Sequence, residues 1–410
     1  MSKLIAIDAS PNTQKEDIFL ILKLLLSPFS WNGNKYSQRL QDYFQQRYNP
    51  KVSLVTKSGR AALYLLLSAA IKPGDEVITQ AFTCIVVPNA ILWVGGKPVF
   101  VDIGRHTYNL DPKDLKKKIT KKTKAVIIQH TFGIPSNIKD IQKICKENNL
   151  LLIEDCAHAL GAKYNSKLIG TFGDGAIFSF NQDKVVSGIN GGVLIIHNPK
   201  LAENFKAKLD KPSNWQTFKT LLHPLLWWVA TPVYETFSLG KLLVFIGWRA
   251  GILYNTITPQ EESSKMPLGL LEELSNPQAA LILQGLQRLD KDNRRRQKIA
   301  EEYRKELSKI GLHPTQLKST DPIYMRYPLQ VKDPQALVKA ARKEGLILGR
   351  WYTSPIFPNT EAVKDFYQEG RCPIAEVTGK HIVNLPTFPR LSDNEVDRVI
   401  NVIKKDYANN

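Results

Sequence analysis

Between Lys51 and His197 the chain alternates two kinds of apolar pattern. Short continuous runs rich in Val and Ile recur seven times: "KVSLVTK", "EVITQAF", "KPVFVDI", "KAVIIQHTF", "LLLIED", "AIFSFN" and "GGVLIIH". Bounded by Gly, Pro, Asp or Asn, such runs predict strands buried on both faces. Between them, "GRAALYLLLSAAI", "CIVVPNAILWVG", "LDPKDLKKKI" and "IKDIQKICKENN" repeat apolar residues at helical spacing. This alternation predicts an α/β fold, with a mostly parallel seven-stranded sheet flanked by helices. Ligands of such sheets bind at the carboxyl ends of the strands.

The rhythm changes after His197. Residues 221–253 are dense in Leu and Trp, but neither apolar half reaches the roughly 20 residues that a spanning helix needs. "NPQAALILQGLQRLDKDNRRRQKIAEEYRKEL" (276–307) predicts one long helix, apolar first and charged later. Beyond it, "YPLQV" and "HIVNL" predict strands, and "DPQALVKAARKEG" and "SDNEVDRVINVIKK" predict helices. The expected division is a large domain at 1–275 with an apolar insertion at 200–265, a connecting helix at 276–307, and a small C-terminal α+β domain at 308–410.

Composition narrows the classes. The 410 residues are 43% hydrophobic and 23% charged, which excludes a wholly disordered chain. The net charge of +18 suits a solvated basic surface, and as a binding signal it favours phosphorylated small molecules or a lipid surface over DNA. Neither C2H2 spacing nor an aromatic RNP pattern is present, so no nucleic-acid partner is expected. Four cysteines without CxxC spacing predict free thiols in a reducing compartment. The start, "MSKLIAIDASPNTQKED", lacks a basic stretch followed by a sustained apolar core. It does not read as a signal peptide, so a cytoplasmic location is expected.

The chemistry gathers at predicted strand ends. Glu154 and Asp155 close the run "LLLIED", where a carboxylate is costly unless it meets a cation. Asp155 alone also suits a helix N-cap. Lys184 follows the next strand, in "FSFNQDKVVSGINGG", and alone it suits a solvated loop. Neighbouring strands would bring the two residues to one rim of the sheet. An amine beside a buried acid, with a phosphate cup, is what pyridoxal 5'-phosphate (PLP) needs. An ionised Asp keeps the pyridine nitrogen protonated, and a low-dielectric site makes a lysine nucleophilic. "TKSGRAALYLLL" supplies a strand end, then Ser58-Gly59-Arg60, then a helix start with N–H groups for a phosphate. Ser179 offers a hydroxyl nearby.

The chain resembles the DegT/StrS-type nucleotide-sugar aminotransferases, which are fold-type I PLP enzymes. The resemblance rests on ordered blocks along nearly the whole chain. They include "SGRAAL", "PGDEVITQAFTCIVVPNAILWVGGKPVFVDI", "HTFGIPSNIKDI", "LLLIEDCAHALGAKY", "GTFGDGAIFSFNQDK", "NPQAALILQGLQRLD" and "LPTFPRLSDNEVDRVI". It implies Lys184 as the lysine that binds PLP covalently and Asp155 as the partner of the pyridine nitrogen. His158 falls where the family faces the ring hydroxyl; alone it also suits a satisfied histidine on a helix. Ser179, Gly59, Arg60 and Ala61 match the phosphate cup. It also implies a homodimer, and transfer of an amino group from an amino acid, L-glutamate in the family, to a nucleotide-linked keto-sugar for cell-surface polysaccharide. Relatives that dehydrate sugars carry histidine at the position of Lys184.

Five features depart from the pattern. Arg60 replaces Thr. Cys84 replaces the aromatic that stacks on the cofactor ring, with Phe82 a candidate to compensate. Asn190 replaces an acid, and Glu272 and Glu273 stand where relatives present Asn or Arg to the partner subunit. The insertion at 200–265 is the fifth. Its Trp227, Trp228, Trp248, Lys219, Lys241 and Arg249 suit either a hairpin packed on the protein or peripheral contact with the inner face of a membrane. "IFLILKLLLSPFSW" would add to the same patch. These departures leave two alternatives open: another PLP reaction such as sugar dehydration, or a non-catalytic membrane-attached protein of the PLP fold.

Overall fold

The structure is a computed structural model that describes residues 4–7, 10–234, 238–253, 255–312 and 319–408. All seven predicted strands form: β1 (Val52–Thr56), β2 (Glu76–Gln80), β3 (Lys97–Val101), β4 (Thr123–Gln129), β5 (Leu151–Asp155), β6 (Gly175–Ser179) and β7 (Gly192–Ile196). They make one sheet in the order β1-β7-β6-β5-β4-β2-β3. Only β7 is antiparallel to its neighbours β1 and β6. Its hydrogen bonds place Ser179 opposite Gly192 and Thr56 opposite Gly192 on the other side. The carboxyl ends of β1 and β6 therefore meet at the start of β7.

Helices cover both faces. α1 (Lys15–Leu25) and α2 (Lys35–Tyr48) precede the sheet and lie outside the alternating pattern of 51–197. α3 (Gly59–Ala70) and α4 (Val86–Trp93) follow β1 and β2. One apolar layer joins Leu63, Leu66 and Leu67 of α3 to Ile127, Ile153 and Leu194 of the sheet. On the opposite face, Leu40 and Phe44 of α2 pack with Val126, Ile128, Phe178 and Ile195.

The insertion forms a helical hairpin, α5 (Asn214–Ala230) and α6 (Leu239–Arg249). The long helix predicted at 276–307 is two helices, α7 (Asn276–Gln287) and α8 (Leu289–Leu307), divided at Arg288, whose φ of -105° leaves helical geometry. The C-terminal part contains an antiparallel pair, β8 (Arg326–Gln330) and β9 (Ile382–Pro386), with α9 (Asp393–Ala408) against it. Ile5–Ala6 pairs in parallel with Leu346–Ile347. A short strand from the first residues thus joins the C-terminal elements.

His223 of α5 is buried and bonds the Ile252 carbonyl at 3.3 Å. Burial lowers its pKa from 6.5 to about 4. The unfolded chain takes up a proton below pH 6.5 that the folded chain takes up only near pH 4. Stability from this site is therefore full above pH 6.5 and falls between 6.5 and 4, by an amount on the order of 3 kcal/mol. Chemical denaturation across this window should show that slope, and His223→Asn should flatten it.

Candidate active site

The sheet sequence dictates where the site lies. At the carboxyl rim, the ends of β1, β5 and β6 and the start of α3 open into one cavity. Asp155, His158, Ser179, Lys184, Gly59, Arg60 and Cys84 all line it. Ala61 does not. Its N–H is accepted by the N-cap hydroxyl of Ser58 at 3.2 Å, and its side chain is buried. The cup at the helix start is thus Gly59 and Arg60, whose N–H groups lie in the first turn and have no intrahelical acceptor. A Cβ on Gly59 would stand 2.8 Å from Ser179 Cβ. Only glycine lets this backbone press against β6. Gly59→Ala should displace the cup, and purified protein should carry at least about tenfold less bound cofactor at limiting PLP. Absorbance titration with PLP reads the change.

Asp155 ends β5 and is buried. Its Oδ1 accepts the Ala157 N–H at 3.0 Å and its Oδ2 accepts Gln129 Nε2 at 3.0 Å. Burial raises its pKa, while the Ala157 and Gln129 hydrogen bonds and the Lys184 charge oppose the rise. A cation set against this carboxylate would strengthen the opposing group and hold it ionised. No helix starts at Asp155, so it is not an N-cap. The segment after it is a series of turns, and His158 stands on a turn rather than on a helix.

His158 Nδ1 accepts the Phe132 N–H at 3.3 Å. That bond puts the remaining proton of the neutral ring on Nε2, making it a donor. Burial, with Lys184 and Arg326 nearby, holds the His158 pKa well below its usual value. The ring lies 5.7 Å from that of Trp351, near parallel at 18°.

Lys184 lies on the turn between β6 and β7 and is only 13% exposed at its side chain. Its Nζ is 5.2 Å from the Trp351 ring centroid and 3.7 Å from Asp183 Oδ2. Its carbonyl accepts Asn12 Nδ2 at 2.6 Å, and Asn12 Oδ1 accepts Arg296 Nη2 at 2.6 Å. The lysine loop is thus pinned to α8 by a residue more than 170 positions earlier in the chain. Both carboxylate oxygens of Asp183 are buried without a hydrogen-bond donor among the described residues.

The departures resolve physically. Arg60 faces neither solvent nor the cup. Its guanidinium pairs with buried Glu261, and its Nη2 donates to the Thr256 carbonyl at 2.6 Å. Asn89 Nδ2 donates to the Glu261 carbonyl at 2.8 Å and Trp93 Nε1 to that of Ser264 at 2.9 Å. These bonds fasten the segment after the hairpin onto the cavity, where Thr256 and Ile257 form part of the wall. Phe82 does not compensate for Cys84: it is fully buried, edge-on to Tyr352 at 5.5 Å. The aromatic surface of the cavity comes from Trp351, Tyr352 and Phe357. Arg326 lies 3.5 Å from the Trp351 ring centroid and holds it from behind. Asn190 is in the wall. Glu272 is neutralised within its own chain by Lys57 at 2.8 Å, and Glu273 is exposed.

A second cluster, His130, Glu154 and Cys156, has the donor types of a metal site. Its lone pairs are already engaged. Glu154 accepts the N–H groups of Gly170, Phe172 and Gly173 at 2.7–2.8 Å. His130 Nε2 lies 3.3 Å from Glu154, and its Nδ1 accepts the Ser136 N–H. Three backbone donors and His130, rather than a metal, meet the cost of burying Glu154.

Residues 11–404 match the profile of the DegT/DnrJ/EryC1/StrS aminotransferase family. The chain belongs to that family. Its members include PLP-dependent sugar aminotransferases, and the cofactor expected of this chain is accordingly PLP. GDP-perosamine synthase of Escherichia coli O157:H7 is 28% identical over 384 residues, covering 92% of this chain and 93% of the relative. The dTDP-3-amino-3,6-dideoxy-alpha-D-galactopyranose transaminase of Aneurinibacillus thermoaerophilus is 29% identical, covering 89% of each chain. The solved structure of S. venezuelae DesV shares the fold with a TM-score of 0.74 at 24% identity, covering 96% of this chain and 94% of that one. The fold-type I architecture expected of the family member is thus the one present. The cavity also fits the cofactor on its own terms. It brings together a half-buried amine, a buried acid, a neutral imidazole with a donor nitrogen, and a glycine-lined helix start.

Proposed function

We propose that this family member transfers an amino group from an amino acid, L-glutamate being the expected donor, to a nucleotide-linked keto-sugar destined for a cell-surface polysaccharide. The observation that carries the reading is the convergence of Lys184 and Asp155 on one cavity at the carboxyl rim of the sheet. The nucleotide sugars named for the relatives support the substrate class.

PLP, when bound, supplies an electron sink for charge developing beside the amine. The chain's own residues do the rest. Lys184 would hold the cofactor through its Nζ, and the same amine is placed on the cavity to carry the proton that moves in the transfer. A placed base of this kind contributes roughly 10²- to 10⁴-fold. Asp155, braced by Gln129 and Ala157, would keep the cofactor's heterocycle cationic. His158 would offer its Nε2 proton to the cofactor. The N–H groups of Gly59 and Arg60 and the hydroxyl of Ser179 would hold the phosphate. The Arg60 side chain acts differently, anchoring the Thr256–Glu262 wall through Glu261. Cys84 lines the same cavity and would give a bound ring less contact area than an aromatic, and Trp351 adds an aromatic wall.

The lysine at position 184 favours transamination over sugar dehydration, and the presence of both Lys184 and Asp155 on the cavity weighs against a non-catalytic role. Other elements of the proposal are a homodimer, the three-part division at 276 and 308, a cytoplasmic location and peripheral membrane contact through 200–265. The experiment is a pair of half-reactions. L-glutamate should bleach the visible band of the holoenzyme, and a nucleotide-linked keto-sugar should restore it. Failure of every amino acid tried to change the spectrum would exclude transamination.

A further inference from the structure

The hairpin α5–α6 is built the wrong way round for a helix pair in water. A surface helix normally turns large apolar residues inward and small or polar ones outward. In α6 the buried residues are Gly240 and Gly247. A Cβ on Gly247 would meet Leu226 and Leu253, so the glycine edge is what rests on α5. The large side chains face away: Leu242 is 53% exposed, Phe245 61% and Ile246 50%, with Leu239 and Trp248 also exposed.

The surface continues onto α1. Leu221 of α5 packs with Ile21 and Leu24 of α1, which leaves Phe19 and Leu22 outward, followed by Leu26 and Phe29. Among the described residues, every exposed large hydrophobic other than Met266, Leu268, Val377 and Tyr407 lies in 19–29 or 215–248. Such a concentration marks an interaction surface rather than scattered exposure.

The charge on the hairpin selects the partner. α5 and α6 carry Lys219, Lys241 and Arg249 and no acidic residue. Lys219 Nζ lies 5.8 Å from the Trp215 ring centroid, and Lys241 Nζ lies 5.7 Å from that of Tyr234. Cations beside tryptophan and tyrosine at the margin of an apolar face match the headgroup region of an anionic bilayer. A second copy docked on the same face about a two-fold axis would set these cations near their own images, at an electrostatic cost. Among the described residues no helix is long and apolar enough to cross a membrane, so the contact is interfacial.

We infer that α6, the outer face of α5 and the exposed edge of α1 form one surface that seats in the interface of an anionic lipid bilayer. This deepens the peripheral contact proposed above and does not rest on the catalytic reading. It also gives the segment Thr256–Glu262 a second meaning. That segment follows the hairpin in sequence and bonds Arg60, and its Thr256 and Ile257 form part of the cavity wall.

The test is flotation of the PLP-loaded protein with vesicles of phosphatidylcholine alone, or of phosphatidylcholine with about 30% phosphatidylglycerol. The protein should float with the anionic vesicles, and less so as salt rises. Phe245→Glu/Ile246→Glu should lower the bound fraction at least about tenfold. Lys219→Gln/Lys241→Gln/Arg249→Gln, which leaves the apolar contacts in place, should remove the preference for anionic lipid. Retention of the visible cofactor band checks that each variant is folded. The inference is overturned if the wild-type protein stays at the bottom of the gradient with anionic vesicles. It is also overturned if the apolar variant floats as well as wild type, or if that variant turns a lipid-indifferent dimer into a monomer. Flotation reads no turnover, so loss of transamination leaves it untouched, and failure to float leaves the catalytic reading intact.

Discussion

Lys184→Ala is expected to abolish the visible absorption of the PLP-loaded protein and to lower transamination by at least about 10³-fold. The expectation follows from position rather than from residue type alone. The Lys184 side chain is the amine placed on the cavity beside Asp155, and its loop is fixed from both sides. The Asn181 carbonyl accepts its N–H at 3.0 Å, and Asn12 donates to its carbonyl. Removing the side chain therefore removes a group whose location the fold has already determined. Lys184→Arg is the informative companion. It retains a positive charge near Asp183 and the Trp351 ring but cannot serve as a nucleophilic amine at neutral pH. It should retain noncovalent cofactor binding and lose turnover to the same extent. If Lys184→Arg kept more than a few per cent of wild-type turnover, covalent and proton-transfer roles for Lys184 would both be untenable.

The second large effect is expected at Asp155. Asp155→Asn preserves size but removes the anion and one of the two oxygens that accept from Ala157 and Gln129. The loss should lie near 10²- to 10³-fold in kcat with a smaller change in KM, as for removal of an electrostatic group that acts in the transition state. The effect should be specific to Asp155. Glu154, its neighbour in sequence, points to the opposite face of β5 and is satisfied by three backbone donors and His130. Glu154→Gln should impair folding, lowering the melting temperature, and should leave kcat per folded molecule within about threefold. A pair of adjacent carboxylates thus separates into one that holds the chain and one that serves the site. The alternation of side chains along a strand is the reason. Equal losses of kcat in the two variants would contradict this division.

The sheet was readable because a mostly parallel sheet buried on both faces uses continuous Val and Ile runs, and each of the seven runs is a strand. The helices after β1 and β2 were readable from spacing. Other features were not. The break at Arg288 leaves apolar spacing nearly unchanged, so 276–307 reads as one helix although the backbone turns between α7 and α8. The turn that carries His158 has no local signal either, since its contacts with Phe132 and Trp351 are tertiary.

The site was legible where residues sit next to strand ends, as with Asp155, Ser179 and Lys184. It was illegible where the partner is remote. The pairing of Arg60 with Glu261 joins positions 201 apart, and neither residue carries a local signal for the other. The same holds for Asn12 with Lys184 and for Arg326 behind Trp351. Phe82 looked available to replace the missing ring at Cys84. Its φ of 65° instead turns it into the core with Phe132 and Tyr352.

The most direct measurement is chemical trapping at Lys184. Borohydride reduction of the PLP-loaded protein, followed by proteolysis and peptide mass spectrometry, should place a single pyridoxyl adduct on the peptide containing Lys184. An adduct on any other lysine, or none at all while the visible band is present, would contradict the account.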